Sequence, residues 1–248
     1  MENNEIRFAC NSCGICCKGR LVPLTLGEAR RWLERGHDIA VVLEAFDEHH
    51  WPAEPGKFSH NAGRSVQVAS GRHQINVTPI FTGNALTQCP NLDDQNRCGI
   101  YEERPLVCRI YPLEISPFIA LSPASKICPP EVWDAGEVIF SDRVTDPVVA
   151  DEIEESRRSD KRDARAKVAI CESLGMTVAA WKEDALAVYL PVADELLAAI
   201  ERFDQGQIEA HEVDWRLRIE NAELRETVSS RGAYIDSSSA PEYIFYKL

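Results

Sequence analysis

Cys10-Asn11-Ser12-Cys13-Gly14-Ile15-Cys16-Cys17 is the stretch on which the reading of this chain turns. Cys10, Cys13 and Cys16 recur at intervals of three. A loop with that spacing can turn several thiolates toward one centre, as in zinc knuckles or the C-x2-C-x2-C run of bacterial ferredoxins. Gly14 supplies the tight backbone such a loop needs. Cys17 fits less simply. Adjacent side chains usually diverge, so Cys16 and Cys17 are expected to serve two neighbouring metals, or one of them to be spare.

Nine cysteines stand in 248 residues, at positions 10, 13, 16, 17, 89, 98, 108, 128 and 171. Eight of them precede residue 130. The first residues, Met1-Glu2-Asn3-Asn4-Glu5, have no secretory character, and no stretch approaches the roughly 20 apolar residues of a membrane span. The cytoplasm is therefore the expected location, and no membrane is expected as a partner. In a reducing compartment dense cysteine reads as metal binding or redox chemistry rather than as disulfides. The odd number also fits a disulfide scaffold poorly.

The formal charge is −13, unevenly placed along the sequence. Residues 1–130 carry 14 acidic and 13 basic side chains, and residues 131–248 carry 26 and 14. An acidic second half repels phosphate backbones, which disfavours nucleic acid and anionic membranes. A basic protein or peptide is the partner such a surface would suit; the plainer alternative is a set of solvated acidic helices.

Outward from the first cysteines, Thr25 followed by Glu28 has the form of a capping box, and Gly36 is a stop signal, which predicts a helix near 26–35. A second helix is expected from Ile39 to Glu48, and residues 51–64 read as loop. The period-two runs Ser65–Val68 and Gln74–Ile80, with Gly71 between them, predict a hairpin. Asp146-Pro147 opens a charged helix to about Leu174, with Gly175 as its cap. Further helices are expected over Val178–Tyr189, over Val192–Phe203 from spacings of three and four, and from Ile208 to about Val228. Tyr243, Ile244, Phe245 and Tyr246 could dock on the body. The expected fold class is α+β: a small, irregular, metal-stabilised cysteine-cluster domain over residues 1–135, then an acidic, mainly α-helical domain over 136–248, with the boundary near 131–145.

The second cysteine segment is Cys89-Pro90-Asn91-Leu92, then Cys98-Gly99-Ile100-Tyr101-Glu102-Glu103-Arg104-Pro105-Leu106-Val107-Cys108-Arg109-Ile110-Tyr111-Pro112, with a later Cys128-Pro129. Taken in order with C-x2-C-x2-C-C, these motifs resemble the YkgJ-like family of zinc- or iron-chelating proteins over roughly residues 8–130. The resemblance implies a metal-ligand set drawn from Cys10, Cys13, Cys16, Cys17, Cys89, Cys98, Cys108 and Cys128, holding an iron–sulfur cluster or zinc. The pattern also looks related, more distantly, to flagellin lysine-N-methylases. That relation would imply S-adenosylmethionine as a cofactor and methyl transfer to a protein or peptide. Arg104 and Arg109 flank Cys108. They are candidates for cofactor binding, either offsetting thiolate charge or gripping a carboxylate. Tyr101 and Tyr111 read as packing residues.

Other candidates carry less signal. His49, His50 and His60 read as loop surface, and His37 and His73 are weaker still. Cys171 reads as a buried structural thiol in a helix. There is no C-x3-C-x2-C, since position 20 is arginine, and no G-x-G-x-x-G, P-loop, G-x-S-x-G or H-E-x-x-H. Three functions remain: a metal-cluster protein in which the site does chemistry or electron transfer, a zinc-stabilised interaction module, and a metal storage or delivery protein.

Overall fold

The computed structural model describes residues 5–51, 54–208, 213–239 and 241–248, and it holds both helices and sheets, as an α+β protein does. Chain contacts divide it into two compact units, one of Met1–Leu24 with Asn84–Ser159 and one of Thr25–Gly83 with Asp160–Leu248. This division differs from a single boundary near 131–145. The chain leaves the cysteine unit after Leu24 and re-enters it at Asn84. The helix Pro147–Ser173 contributes to both units. The acidic excess is shared accordingly: the first unit has 16 acidic and 10 basic residues, the second 24 and 17.

The second unit is built around the strand Ile39–Phe46, whose residues are almost all buried. It pairs antiparallel with His73–Ala85, from Ile39 opposite Gly83 to Phe46 opposite Asn76. Its other edge is shared: Ala185–Tyr189 runs antiparallel along Val41 to Leu43, and Val178–Trp181 runs parallel at Glu44 and Ala45. Arg216–Arg218 adds a further parallel strand beside Val178–Trp181. Trp32, Phe46, Phe81, Trp181 and Trp215 are buried in this unit. Gly83 is required there, because a Cβ at that position would stand 2.5 Å from the indole of Trp32.

Several sequence expectations hold. Thr25 and Glu28 form a full capping box on the helix Leu26–Glu34. Val66–Ser70 and His73–Ala85 form the hairpin, with Gly71 in the left-handed region at φ 59°. The helices Pro147–Ser173 and Ala193–Asp204 lie where their patterns put them, and Ile244–Lys247 docks antiparallel on Ala185–Tyr189.

Others are corrected. The runs 39–48 and 178–189 are strands, not helices. Ile39–Phe46 is apolar at every position but Glu44 because both faces are covered, so it has no alternation to read. Val178–Trp181 and Ala185–Tyr189 are rich in alanine, a helix former, but the sheet edge overrides that preference. Pro55–Ala62, read as loop, is a helix with Pro in its first turn. The expected helix from Ile208 to Val228 is instead the strand Arg216–Arg218 and the helix Ala222–Ser230, capped by the Asn221 side chain; residues 209–212 lie outside the described residues. The portion after 136 is thus mixed rather than mainly helical.

The cysteine unit has little regular structure. Ile6–Phe8, Glu137–Ser141 and Arg143–Val144 make a small antiparallel sheet. Leu106, Ile110, Leu113 and Ile153 form a small apolar cluster, with Ile115, Leu121, Ile139, Phe140, Val144 and Val149 against it. Among the described residues no helix is long and apolar enough to cross a membrane.

Candidate metal centre

Gly14 adopts φ 70° and caps a 3-10 turn, Ile15–Cys17, that presents Cys16 and Cys17. A Cβ there would fall 2.6 Å from the carbonyl oxygen of Asn96. The first cysteine loop therefore seats directly on the loop between Cys89 and Cys98. Two bonds fasten the seat: the Cys89 amide donates to the Cys17 carbonyl at 2.7 Å, and Lys18 Nζ to Asn96 Oδ1 at 2.8 Å. Asp93 shapes the second loop, its Oδ1 accepting from the amides of Gln95 and Arg97. An antiparallel bridge pairs Leu92 with Cys98. Pro105 starts the short helix Leu106–Ile110, which buries Leu106 and Ile110 and carries Cys108.

These elements gather the thiols into two overlapping sets. Cys108 lies within electrostatic reach of Cys16, Cys89 and Cys98, and Cys89 within reach of Cys16 and Cys98. Cys128 is instead influenced by Cys10, Cys13 and Cys16. Cys16 belongs to both. All eight are free thiols; Cys10 is exposed and the other seven are partly buried.

The Sγ atoms of Cys16 and Cys17 do not diverge. They are 3.8 Å apart, about the edge of a tetrahedron with metal–sulfur bonds of about 2.3 Å. The two thiols hydrogen-bond to each other, and this bond, opposed by burial and aided by the charges of Arg20 and Arg104, lowers the Cys16 pKa to about 6. The same bond and then burial push Cys17 far up. Burial, then the neighbouring thiolates, push Cys108 up to about 12, with Arg104 opposing. Burial also raises Cys89 and Cys128. Desolvated thiols near one another repel as thiolates, a cost that a bound cation removes.

The two arginines of the second motif part company. Arg104 lies over the Tyr101 ring, 3.7 Å from its centroid, donates to the Tyr101 carbonyl, and turns its charge on Cys16 and Cys108. Arg109 instead pairs with Glu152 at 3.2 Å. Tyr111 does more than fill space: the Cys128 thiol donates to its hydroxyl at 3.5 Å. Sequence reasoning missed Arg20, which lies 5.2 Å from the Tyr111 centroid and lowers the Cys16 pKa. Its Nε is buried and, among the described residues, has no hydrogen-bond partner. The only signal for it was its place three residues beyond Cys17. Cys171 is fully buried, as expected. His37 packs edge-on against Trp32. His50 and His73 are not surface residues; both are largely buried around Asp47.

Such a constellation, soft donors on tight loops with two guanidinium groups turned toward them, defines a thiol-based chelating module. Residues 9–129 match the CxxCxxCC family, described as "Putative zinc- or iron-chelating domain". The match takes in all eight clustered cysteines. No curated protein and no solved structure matches the chain, and no finding links it to flagellin lysine-N-methylases.

Proposed function

We propose that residues 9–129 hold an iron–sulfur centre with Cys16, Cys89, Cys98 and Cys108 as its ligands, and that the chain works as a metal-cluster protein. The observation that carries this reading is the seating of the Cys16–Cys17 turn on the Cys89–Cys98 loop, which brings these thiols, Cys17 among them, within electrostatic reach of one another and of Cys108. Thiolates are soft donors that suit both zinc and iron–sulfur clusters. A single zinc ion draws every pair of its ligands to a tetrahedral edge, whereas a cluster takes its thiolates at separate irons. Cys16 and Cys17 share a hydrogen bond, and Arg20 and Arg104 direct positive charge at the sulfurs; both are means of tuning a cluster's potential. Cys10, Cys13 and Cys128 form a neighbouring set that would take a second metal. A cluster supplies electron transfer or a Lewis-acidic iron; S-adenosylmethionine, methyl transfer and a basic peptide partner rest on the distant resemblance alone.

Anaerobic purification with iron, zinc, acid-labile sulfide and absorption measurements tests this. Brown protein with sulfide is expected, with colour lost in Cys108→Ser and retained in Cys128→Ser. Colourless protein with stoichiometric zinc and no sulfide would replace the reading with a zinc-stabilised module.

A further inference from the structure

Asp47 follows directly on the strand Ile39–Phe46, and His73 opens the strand His73–Ala85 that pairs with it. The register that sets Phe46 opposite Asn76 brings Asp47 to His73 across 26 residues of sequence. The turn after Asp47 then folds back. The amides of His49 and His50 donate to Asp47 Oδ1 at 2.9 and 2.6 Å, which fixes the carboxylate. Its other oxygen faces two imidazoles, His50 Nδ1 at 2.6 Å and His73 Nε2 at 2.7 Å. The three ligand atoms lie within 4.8 Å of one another, and among the described residues this is the one group of three or more such side chains so gathered. The side chains of Asp47, His50 and His73 are 5%, 10% and 12% exposed, so the donors are largely dry.

We propose that Asp47, His50 and His73 form a binding site for a divalent transition-metal ion, zinc or ferrous iron, held independently of the thiols. Two imidazoles and one carboxylate are the donor set these ions take when part of the coordination sphere is left to water or substrate. In the metal-free geometry both ring nitrogens point at the same carboxylate oxygen. Bonds of about 2.1 Å to a tetrahedral ion require donor pairs about 3.4 Å apart. Each imidazole would therefore retreat by about 0.7 Å. Neutral imidazole binds through its unprotonated nitrogen, so each ring moves its proton to the far nitrogen as the ion enters. The carboxylate is already oriented by two backbone amides, the kind of support that ligating carboxylates have. One negative ligand against a divalent ion leaves a single positive charge, far less costly to bury than the bare ion. Trp181 lies beside the site, its ring 6.4 Å from that of His50.

The test uses the full chain as purified, with whatever metal its thiols hold, dialysed to equilibrium against zinc. One zinc equivalent is expected beyond the thiol-bound metal in the wild type and in Cys108→Ser, and it should be absent from His73→Gln. Cobalt in place of zinc should give weak visible bands without sulfur-to-metal charge transfer, and should quench Trp181. Should His73→Gln fail to fold by circular dichroism, His50→Gln, altered on the turn, carries the same test. An additional equivalent that survives both histidine substitutions, or none in the wild type, overturns the site. Since the count is taken above the thiol-bound metal, failure of the cysteine centre would leave this outcome readable.

Discussion

Gly14→Ala asks whether the two cysteine loops seat on each other as the structure has them. Two costs add at this position. Alanine at φ 70° pays the left-handed penalty, about 1 kcal/mol relative to glycine. Its Cβ would also stand 2.6 Å from the Asn96 carbonyl oxygen and 3.0 Å from the Asn96 Cβ, closer than van der Waals contact allows. The backbone must give, at about a further 1–2 kcal/mol. Gly19 is the control: it has φ 69° and open space within 4 Å of where a Cβ would sit, so Gly19→Ala pays the conformational part alone. Hydrogen exchange of the Cys17 and Cys89 amides, which bond to Gly14 and Cys17, reads local opening. At about tenfold per 1.4 kcal/mol, Gly19→Ala should speed exchange about fivefold and Gly14→Ala about thirty- to hundredfold. Equal effects from the two substitutions would show that the Asn96 contact does not exist, and with it the seating of Cys16 beside Cys89.

Gly83→Ala should cost about 2–3 kcal/mol in urea unfolding, because its Cβ would drive into the Trp32 indole; Trp32→Leu in the same background should recover part of that loss. Tyr243→Phe removes a hydroxyl bonded to the buried Asp236 carboxylate and should cost about 1–2 kcal/mol; an unchanged unfolding midpoint would discount that bond. Lys167 is buried among Asp160, Asp163, Glu28 and Arg64, and burial lowers its pKa below 10.5 despite the nearby carboxylates. Between the lowered value and 10.5 the unfolded chain binds more protons, so stability rises with pH in that window. The wild type should therefore gain on Lys167→Met as pH approaches 10.5, as measured by the difference in urea midpoints.

Local signals in the sequence were read correctly where the physics is local. Thr25 and Glu28 cap a helix with bonds made three residues apart, and Gly71 turns a hairpin between alternating strands. The close-set cysteines Cys10 to Cys17 stood out for the same reason, since spacing in a loop is itself local. What could not be read depends on register between distant segments. Ile39–Phe46 is covered on both faces, which erases the alternation that marks a strand. Ala179, Ala180, Ala185 and Ala187 look helical until a sheet edge claims them. Cys16 and Cys17 were expected to diverge, but a 3-10 turn holds their sulfurs together. Asp47 and His50 stood three apart with no visible reason, because the third member, His73, arrives only through strand pairing. The two discontinuous units are non-local in the same sense.

The insertion of Thr25–Gly83 between the two halves of the cysteine unit has a consequence for biosynthesis. Cys10 to Cys17 leave the ribosome 72 residues ahead of Cys89, about 4 to 14 s at ordinary elongation rates. Through that interval four thiols are displayed on a nascent chain without the partners that would complete their site. A metal captured then has an incomplete shell and exchanges readily. On the proposed ligand set, the centre can be completed only once the second cysteine segment has been made.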